Sequence, residues 1–157
     1  MQDIESRHDA RTPSCREDKI ARDVVRISIQ IHRELGPGLL ESVYEVILER
    51  ELGQEGYSVK RQVPLKVDYK DMSFEEGFKA DLLVDDLVIL ELKAVEELKR
   101  VHHRQLFTYL KLTDKRLGML LNFGAPLMKD GIHRIAYNLP ELTVASWRHG
   151  VRQKPYA

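Results

Sequence analysis

Two short apolar segments, residues 78–84 and 87–94, constrain the fold of this chain more than any other feature. A turn of three residues separates Val84 from Val88, so the segments can pair as a β-hairpin. If those two valines lie opposite each other, the antiparallel register gathers apolar side chains on one face. That face carries Phe78, Ala80, Leu82, Val84, Val88, Leu90, Leu92 and Ala94. This self-consistent pattern predicts the hairpin and its register.

The opposite face of the predicted hairpin is charged. The register places Asp81 across from Glu91 and Lys79 across from Lys93. Two opposed carboxylates destabilise a hairpin unless a cation compensates them, either a bound divalent metal or a nearby lysine. Such a costly arrangement indicates a functional site. The alternative is a solvent-facing hairpin whose acids form salt bridges with the two lysines.

The composition predicts a single globular domain. The chain has 157 residues, of which 43% are hydrophobic, enough to bury a core of ordinary size. Its aliphatic runs are short and its N-terminus is polar, so we expect no membrane span, no secretory signal and a cytoplasmic protein. Cys15 is the single cysteine, which argues against an internal disulfide and a cysteine-based zinc site.

Charge is balanced over the whole chain, with 25 basic and 25 acidic residues. The surface as a whole is therefore not that of an obvious polyanion binder. Residues 93–116 are locally basic, with seven Lys or Arg and three Asp or Glu. This excess is typical either of a solvated helix face or of a surface that meets phosphates, and charge alone favours the helix face.

Hydrophobic periodicity divides the chain into an N-terminal arm (residues 1–17), one domain (18–140) and a basic C-terminal tail (141–157). The pattern within the domain predicts helices over residues 18–35, 39–52 and 96–113, and strands over residues 59–69, 78–84, 87–94, 117–123 and 131–139. Pro64 indicates that the first strand lies at a sheet edge or carries a bulge.

The order of these elements is ααβββαββ. The first three strands follow one another in antiparallel succession, whereas a helix between two strands implies a parallel crossover. The sequence therefore predicts an α/β fold with a mixed central β-sheet flanked by helices. A homodimer is a further hypothesis, because edge strands and the apolar faces of the first two helices need cover.

This arrangement, with an acid on the second strand and Glu-x-Lys on the third, resembles the restriction-endonuclease-like fold and its PD-(D/E)xK nuclease signature. Asp81, Glu91 and Lys93 stand in the places of the acid, the second acid and the lysine. Ala80 replaces the proline of the signature. The resemblance implies a nuclease-like core.

Within that superfamily the chain is most similar to GxxExxY proteins. Gly38, Glu41 and Tyr44 fit the pattern that gives those proteins their name. Further motifs agree in the same order, namely Arg61-Gln62-Val63-Pro64-Leu65, Asp81-Leu82-Leu83-Val84, Glu91-Leu92-Lys93-Ala94, His102 with Gln105 and Tyr109-Leu110, Leu121-Asn122-Phe123, and Lys129-Asp130-Gly131. The likeness spans residues 32–137, most of the chain.

The carboxylates of Asp81 and Glu91 suit a hard divalent cation, Mg²⁺ or Mn²⁺. The resemblance implies the backbone carbonyl of Leu92 as a third metal ligand and Glu41 as a further ligand of metal or water. From the residues alone, Glu41 would be an acid placed favourably at a helix start. Lys93 would stabilise developing negative charge or activate water, and we favour the first of these roles.

His102, Gln105 and Tyr109 recur at helical spacing and form one polar stripe. They resemble the glutamine and tyrosine motif of exonuclease-type members, which implies a catalytic role for Gln105 and phosphate contacts for the other two. Tyr44 shares a helix face with Glu41 and is a further candidate for substrate binding. For each residue of the stripe, the alternative is a structural hydrogen bond at a helix–sheet junction.

Taken together, these features favour a metal-dependent nuclease that hydrolyses phosphodiester bonds in nucleic acid, with DNA preferred to RNA as the substrate. The alternative is a nucleic-acid- or protein-binding module that keeps the core without turnover. Neutral charge and a low aromatic content of 7% limit extended nucleic-acid contacts and favour that alternative slightly. The nuclease hypothesis rests on Asp81, Glu91 and Lys93 all being present, since a fold alone does not specify an activity.

Overall fold

The computed structural model of the protein describes residues 15–138, which fold around one five-stranded β-sheet. The elements, in chain order, are α1 (Cys15–Leu35), α2 (Glu41–Gln54), β1 (Val59–Tyr69), β2 (Met72–Val84), β3 (Val88–Lys93), α3 (Arg100–Thr113), β4 (Leu117–Asn122), a short 3-10 helix (Met128–Asp130) and β5 (Ile132–Ala136). This order confirms the predicted ααβββαββ arrangement.

The strands lie in the sheet in the same order as in the chain, from β1 to β5. β3 and β4 are parallel and are joined by α3, whereas all other neighbours are antiparallel. The mixed sheet and its parallel crossover are therefore as predicted. β1 lies at an edge, in agreement with Pro64, and its register with β2 shifts between Leu65 and Val67.

Helices cover both faces of the sheet. The larger core, between the sheet and the first two helices, includes Ile20, Val24, Ile27 and Ile31 of α1 and Tyr44, Leu48 and Leu52 of α2. The smaller core, on the other face, includes Leu83, Ile89 and Leu120 of the sheet and Leu106, Tyr109 and Leu110 of α3. On the second face of the hairpin, Leu83 and Ile89 are buried in the smaller core, and Glu91 and Lys93 follow Ile89 on the same face of β3. None of the described helices is long and apolar enough to span a membrane.

The side chains of β2 alternate between the two cores, and this alternation is interrupted at Asp81. Leu82 packs in the larger core, whereas Ala80 and Phe78 pack in the smaller one. The paired positions of β1 and β2 skip Gln62, whose backbone has a left-handed φ of 51°. The register is the same on both sides of Gln62, with Arg61 opposite Leu82 and Val63 opposite Ala80, so the pair of Gln62 with Asp81 is missing and no residue is inserted. The prediction that Phe78 and Ala80 share a face with Leu82 is therefore wrong.

The predicted hairpin register is confirmed over the length of the ladder. The paired positions are Leu82–Leu90, Leu83–Ile89 and Val84–Val88. Asp81 and Glu91 lie beyond the last pair instead of forming one, and Lys79 lies opposite Pro64 of β1 instead of facing Lys93. The two strands diverge just where the acids begin.

A tight turn joins β2 to β3. Asp85 and Asp86 have positive φ angles of 51° and 56°, and the N–H of Leu87 donates to the carbonyl of Val84 at 2.9 Å. These are the features of a type I′ turn, whose twist matches that of antiparallel strands. The turn thus fixes the register of the two strands that carry the acids.

Some element boundaries differ from those predicted. β2 includes residues 72–77, which pair with the end of β1 and are exposed, so that burial imposes no hydrophobic pattern on them. α1 begins at Cys15, within the predicted N-terminal arm. The rest of that arm, residues 1–14, and the predicted basic tail, residues 141–157, lie outside the described residues.

Asn122, the last residue of β4, ties the segment that follows β3 to the sheet. Its side chain is 2% exposed. Its Oδ1 accepts hydrogen bonds from the N–H groups of Val95 at 3.0 Å and Gly124 at 3.1 Å, and its Nδ2 donates to the carbonyl of Val95 at 2.9 Å. Since this segment begins directly after Lys93, Asn122 fixes the end of the strand that carries the charged residues.

We predict that Asn122→Ala lowers the free energy of unfolding by about 2–4 kcal/mol, because three hydrogen bonds are lost and buried backbone groups of Val95 are left without partners. Urea denaturation followed by circular dichroism measures the change. The control is Gln30→Ala on the exposed face of α1, which should change stability by less than about 0.5 kcal/mol. Equal stability of the two variants would contradict the role given to Asn122.

Candidate active site

A cleft of about 520 Å³ opens where β2 and β3 diverge, next to the N-terminal end of α2. Its walls are formed by Leu39, Leu40, Glu41, Ser42, Glu45, Gln62, Asp81 and Ala94. The lining comes from α2 and the loop before it, from β1 and β2, and from Ala94, which directly follows β3. The charged end of β3 borders the cleft through its contact with Asp81.

Asp81 is held by a backbone donor of the neighbouring strand. Its Oδ2 accepts a hydrogen bond from the N–H of Leu92 at 2.8 Å. Burial raises the pKa of Asp81, the Leu92 hydrogen bond and the charge of Lys93 oppose that rise, and the charges of Glu45 and Glu41 add to it. The carboxylate thus takes the place that a backbone carbonyl of β2 would occupy if the ladder continued.

Glu91 is the most deeply buried acid of the site, with 3% of its surface exposed. Its Oε1 accepts a hydrogen bond from Lys93 Nζ at 2.9 Å. Its Oε2 is buried and has no hydrogen-bond partner among the described residues. Burial, and next the negative charge of Asp81, raise the pKa of Glu91 to about 7. The alternative of a solvent-facing hairpin is wrong, because this carboxylate is withdrawn from water.

Lys93 supplies the compensating cation in the structure. Burial by itself would lower its pKa, but the hydrogen bond to Glu91 and the negative charges of Glu91, Asp81 and Glu41 outweigh burial and raise the pKa above its usual value. The side chain therefore stays protonated at neutral pH. It binds one oxygen of Glu91 and leaves the other without a partner.

Glu41 and Leu92 complete the surroundings of the two acids. Glu41 is the first residue of α2, and its Oε1 accepts a hydrogen bond from the N–H of Ala94 at 3.1 Å. This contact joins α2 to the end of β3. The carbonyl of Leu92 points toward the same strand edge as its N–H, because both groups of one residue face the same neighbour in a strand. That edge is the one on which Asp81 lies.

Few of these side chains converge closely enough to enclose a cation by themselves. Within residues 15–138, no three His, Cys, Asp or Glu side chains are grouped as a metal site. Mg²⁺ often keeps several waters and uses only one or two protein carboxylates. Asp81, Glu91 and the Leu92 carbonyl fit such an open centre, and the unpartnered Oε2 of Glu91 is an oxygen suited to a cation.

The polar stripe on α3 reaches the edge of this site. Gln105 Nε2 donates a hydrogen bond to the hydroxyl of Tyr109, whose ring stacks on Phe78 with centroids 3.8 Å apart. Burial raises the pKa of Tyr109, and the charges of Glu91 and Lys93 also act on it. These contacts hold Gln105 against Tyr109 and Tyr109 against Phe78 of β2.

His102 helps to start α3. Its Nδ1 accepts a hydrogen bond from the N–H of Lys99 at 3.1 Å, so its neutral ring carries the proton on Nε2. Burial, and next the nearby charge of Lys93, lower the pKa of His102. A neutral ring with an Nε2–H donor remains able to meet a phosphate oxygen.

Tyr44 has a supporting position behind the cleft. It is fully buried and stacks on Phe123 with centroids 4.4 Å apart. Its hydroxyl donates to the carbonyl of Gly36 at 2.5 Å and accepts from the N–H of Leu39 at 3.2 Å. The side chain therefore shapes the loop between α1 and α2 and is not exposed for the substrate contact that the sequence predicted.

Three polar residues at the site were not among the predicted site residues. Glu45 lines the cleft, is 5% exposed and accepts hydrogen bonds from Arg61 Nε at 2.9 Å and Gln62 Nε2 at 3.0 Å. The i,i+4 spacing of Glu41 and Glu45 is the signal that could have found Glu45, because both acids fall on one face of α2. The sequence indicated Arg61 and Gln62 only as members of the motif at residues 61–65.

Comparison with known families shows to which family the chain belongs. The sequence model of the PD-(D/E)XK nuclease superfamily matches residues 18–135. The chain belongs to the PD-(D/E)XK nuclease superfamily. The match includes every strand up to the last residues of β5, and the α/β fold agrees with it. No curated protein and no solved structure matched the chain.

Members of the PD-(D/E)XK superfamily are generally dependent on divalent metals and act on nucleic acids. Asp81 lies on β2, and Glu91 and Lys93 lie on β3, within the matched residues. Glu41 and Asp81 line the cleft, and the negative charges of both act on Glu91 and Lys93. These four side chains make up the candidate active site.

The raised pKa of Glu91 predicts how stability depends on pH. The folded protein keeps the proton of Glu91 up to a pKa of about 7, whereas the unfolded chain loses it near 4.5. Stability from this group is therefore lost as the pH rises from 4.5 through about 7. Glutamine does not titrate, so Glu91→Gln has no such loss. The free energy of unfolding of the variant, minus that of the wild type, should therefore increase by about 2–3 kcal/mol between about pH 5 and about pH 8.

Urea denaturation of the metal-free protein at about pH 5 and about pH 8 measures this difference. The control is Glu75→Gln, which removes one exposed carboxylate from β2 and should change by less than about 0.5 kcal/mol between the two conditions. A relative stability of Glu91→Gln that does not change with pH would contradict the assignment of a proton to Glu91.

Proposed function

We propose that this protein is a metal-dependent nuclease that hydrolyses phosphodiester bonds at the cleft between β2 and β3. The observation that carries the proposal is the unpartnered Oε2 of Glu91, which is buried beside Asp81 although Lys93 already binds Oε1. A protein gains no stability from such an oxygen, because a buried acceptor without a partner costs free energy. A divalent cation between the two acids would satisfy it.

The groups that would hold the cation are Asp81, Glu91 and the carbonyl of Leu92, with Glu41 as a further ligand of metal or water. Mg²⁺ and Mn²⁺ are the proposed ions, because the donors are all oxygens. Such a cation supplies Lewis-acid stabilisation of the phosphoryl oxygens and lowers the pKa of water. Glu41 would then exchange its hydrogen bond with Ala94 for the new partner.

Lys93 has the role of a charge-stabilising group. Its pKa is raised, so it carries a proton at neutral pH and is a poor general base. A fixed ammonium beside the scissile phosphate stabilises the negative charge that develops on its oxygens. Its hydrogen bond to Glu91 holds the ammonium in place before substrate binds.

The residues of α3 are proposed to contact the substrate. Gln105 would hydrogen-bond the attacking water or a phosphate oxygen, and Tyr109 keeps its side chain oriented. His102 would donate from Nε2 to a phosphate, since Nδ1 is engaged at the start of α3. Both donors lie on the same helix, so they would follow the nucleic-acid backbone from one side of the cleft.

DNA is the proposed substrate ahead of RNA, and the GxxExxY proteins are the proposed group within the superfamily. Three features support the second proposal: Gly38 has a positive φ of 121° in the loop before α2, Glu41 lines the cleft, and the hydroxyl of Tyr44 donates to Gly36 of that loop. The proposed homodimer would cover exposed apolar side chains on α2, of which Val43 and Val46 are examples.

Cleavage assays test the proposed activity. Labelled single-stranded and double-stranded DNA and RNA are incubated with the protein and Mg²⁺ or Mn²⁺, with a chelator control. We predict metal-dependent cleavage that falls at least ~10²-fold in Lys93→Ala, because one charged donor to the transition state is lost. Lys60→Ala is the matched control, since Lys60 is exposed and pairs with Asp86 at 2.8 Å. Absence of cleavage of every substrate would favour the binding module.

Metal binding is tested independently of turnover. Calorimetric titration with Mg²⁺ and with Mn²⁺ should give binding to the wild-type protein that disappears in Asp81→Asn and in Glu91→Gln, because each substitution removes a negative oxygen ligand. Asp68→Asn on the exposed part of β1 is the control and should bind as the wild type does. Undiminished binding in both site variants would contradict the proposed ligands.

A further inference from the structure

Gln62 connects Asp81 to a second, buried acid. Its Nε2 lies 3.0 Å from Glu45 Oε2 and 3.5 Å from Asp81 Oδ1. An amide nitrogen carries two hydrogens, so one group can donate to both carboxylates. The amide oxygen of Gln62 must point away from them, because it would repel either acid. Gln62 therefore donates to Glu45 and makes a second, longer contact with Asp81.

Glu45 is itself anchored by neighbouring side chains. Its carboxylate is 5% exposed, and Arg61 Nε donates to its Oε1 at 2.9 Å while Gln62 occupies its Oε2. A second cation–carboxylate contact, between Arg61 and Glu49 at 3.5 Å, restrains the guanidinium. Both oxygens of Glu45 are thus engaged, so Glu45 serves as a fixed acceptor for Gln62.

The backbone of Gln62 is held in a costly conformation. Its φ of 51° lies in the left-handed region, which a residue with a Cβ adopts at a cost of about 1 kcal/mol or more. This conformation occurs where β1 and β2 lose one paired position, opposite the segment that contains Asp81. It directs the amide of Gln62 into the cleft, between α2 and β2.

Asp81 needs such a partner to have a single orientation. Its Oδ2 is fixed by the N–H of Leu92, but one hydrogen bond leaves the carboxylate able to rotate about it. Gln62 restrains Oδ1, which is the oxygen not used by Leu92. Two donors from two different strands, β1 and β3, together define the plane of the carboxylate.

We infer that Gln62 is a positioning residue for the active site, which fixes the carboxylate of Asp81 in the orientation that receives a divalent cation, with Glu45 and Arg61 as its anchor. The effect of Gln62 on catalysis rests on the proposed function. The orientation of Asp81 exists without metal, however, and can be measured without it. Partners of this kind change metal affinity or activity by about 10–100-fold when they are removed from metal centres.

Two variants separate the amide of Gln62 from its backbone. Gln62→Met keeps the length of the side chain and the strained backbone but removes both hydrogens of the amide. Gln62→Gly also removes the amide and relieves the left-handed strain. Gln30→Met, on the exposed face of α1, is the matched control for the exchange of glutamine for methionine.

The first measurement is the amide resonance of Leu92 in the metal-free protein, by NMR. We expect it to shift, and its hydrogen exchange to quicken at least ~10-fold, in Gln62→Met and Gln62→Gly, because Asp81 is no longer held against it. The second measurement is Mn²⁺ affinity by calorimetry, which should fall about 10–100-fold in both variants. In cleavage assays kcat should fall while KM for nucleic acid is unchanged.

An unchanged Leu92 amide in both variants overturns the inference, whether or not the wild-type protein cleaves nucleic acid. Loss of metal affinity in Gln62→Met but not in Gln62→Gly also overturns it, since both variants lack the amide and the methionine side chain itself would then be responsible. If the wild-type protein cleaves nothing but the Leu92 amide responds as expected, the positioning role stands and the nuclease proposal fails separately.

Discussion

The hydrogen bond from the N–H of Leu92 to the carboxylate of Asp81 is the interaction on which the rest of the site depends. Where the ladder between β2 and β3 stops, Leu92 would be left with an unpaired donor, and a side chain satisfies it. The same contact draws Asp81 to the strand that carries Glu91 and Lys93. One hydrogen bond therefore marks the point where the strands diverge, gives the Leu92 N–H a partner and brings the acids together.

The electrostatics of the site oppose stability and favour binding of a cation. Burial raises the pKa values of Asp81 and Glu91, and their mutual repulsion adds to the rise for Glu91. Lys93 compensates only part of that charge, because it binds one oxygen of Glu91. A site that violates the usual rule for buried polar groups is expected to be functional. Members of this superfamily generally depend on divalent metals.

The sequence predicted those parts of the fold that depend on local pattern. The order of elements, the parallel crossover and the register near Val84 follow from periodicity and a tight turn, and the structure agrees. The change of face at Asp81 was not predictable, because a left-handed backbone at Gln62 has no signature in a residue that is not glycine. The partners of Glu45 come from β1, far away in the chain, so spacing along α2 could not reveal them.

A crystal structure of the protein with Mn²⁺, with the anomalous signal of manganese measured, tests the central claim most directly. We expect a peak between the carboxylates of Asp81 and Glu91, at about 2.0–2.3 Å from an oxygen of each, and within the same distance of the Leu92 carbonyl. In that structure Oε2 of Glu91 would no longer lack a partner. A fully occupied manganese elsewhere, or Asp81 and Glu91 unchanged at saturating Mn²⁺, would contradict the proposed metal centre.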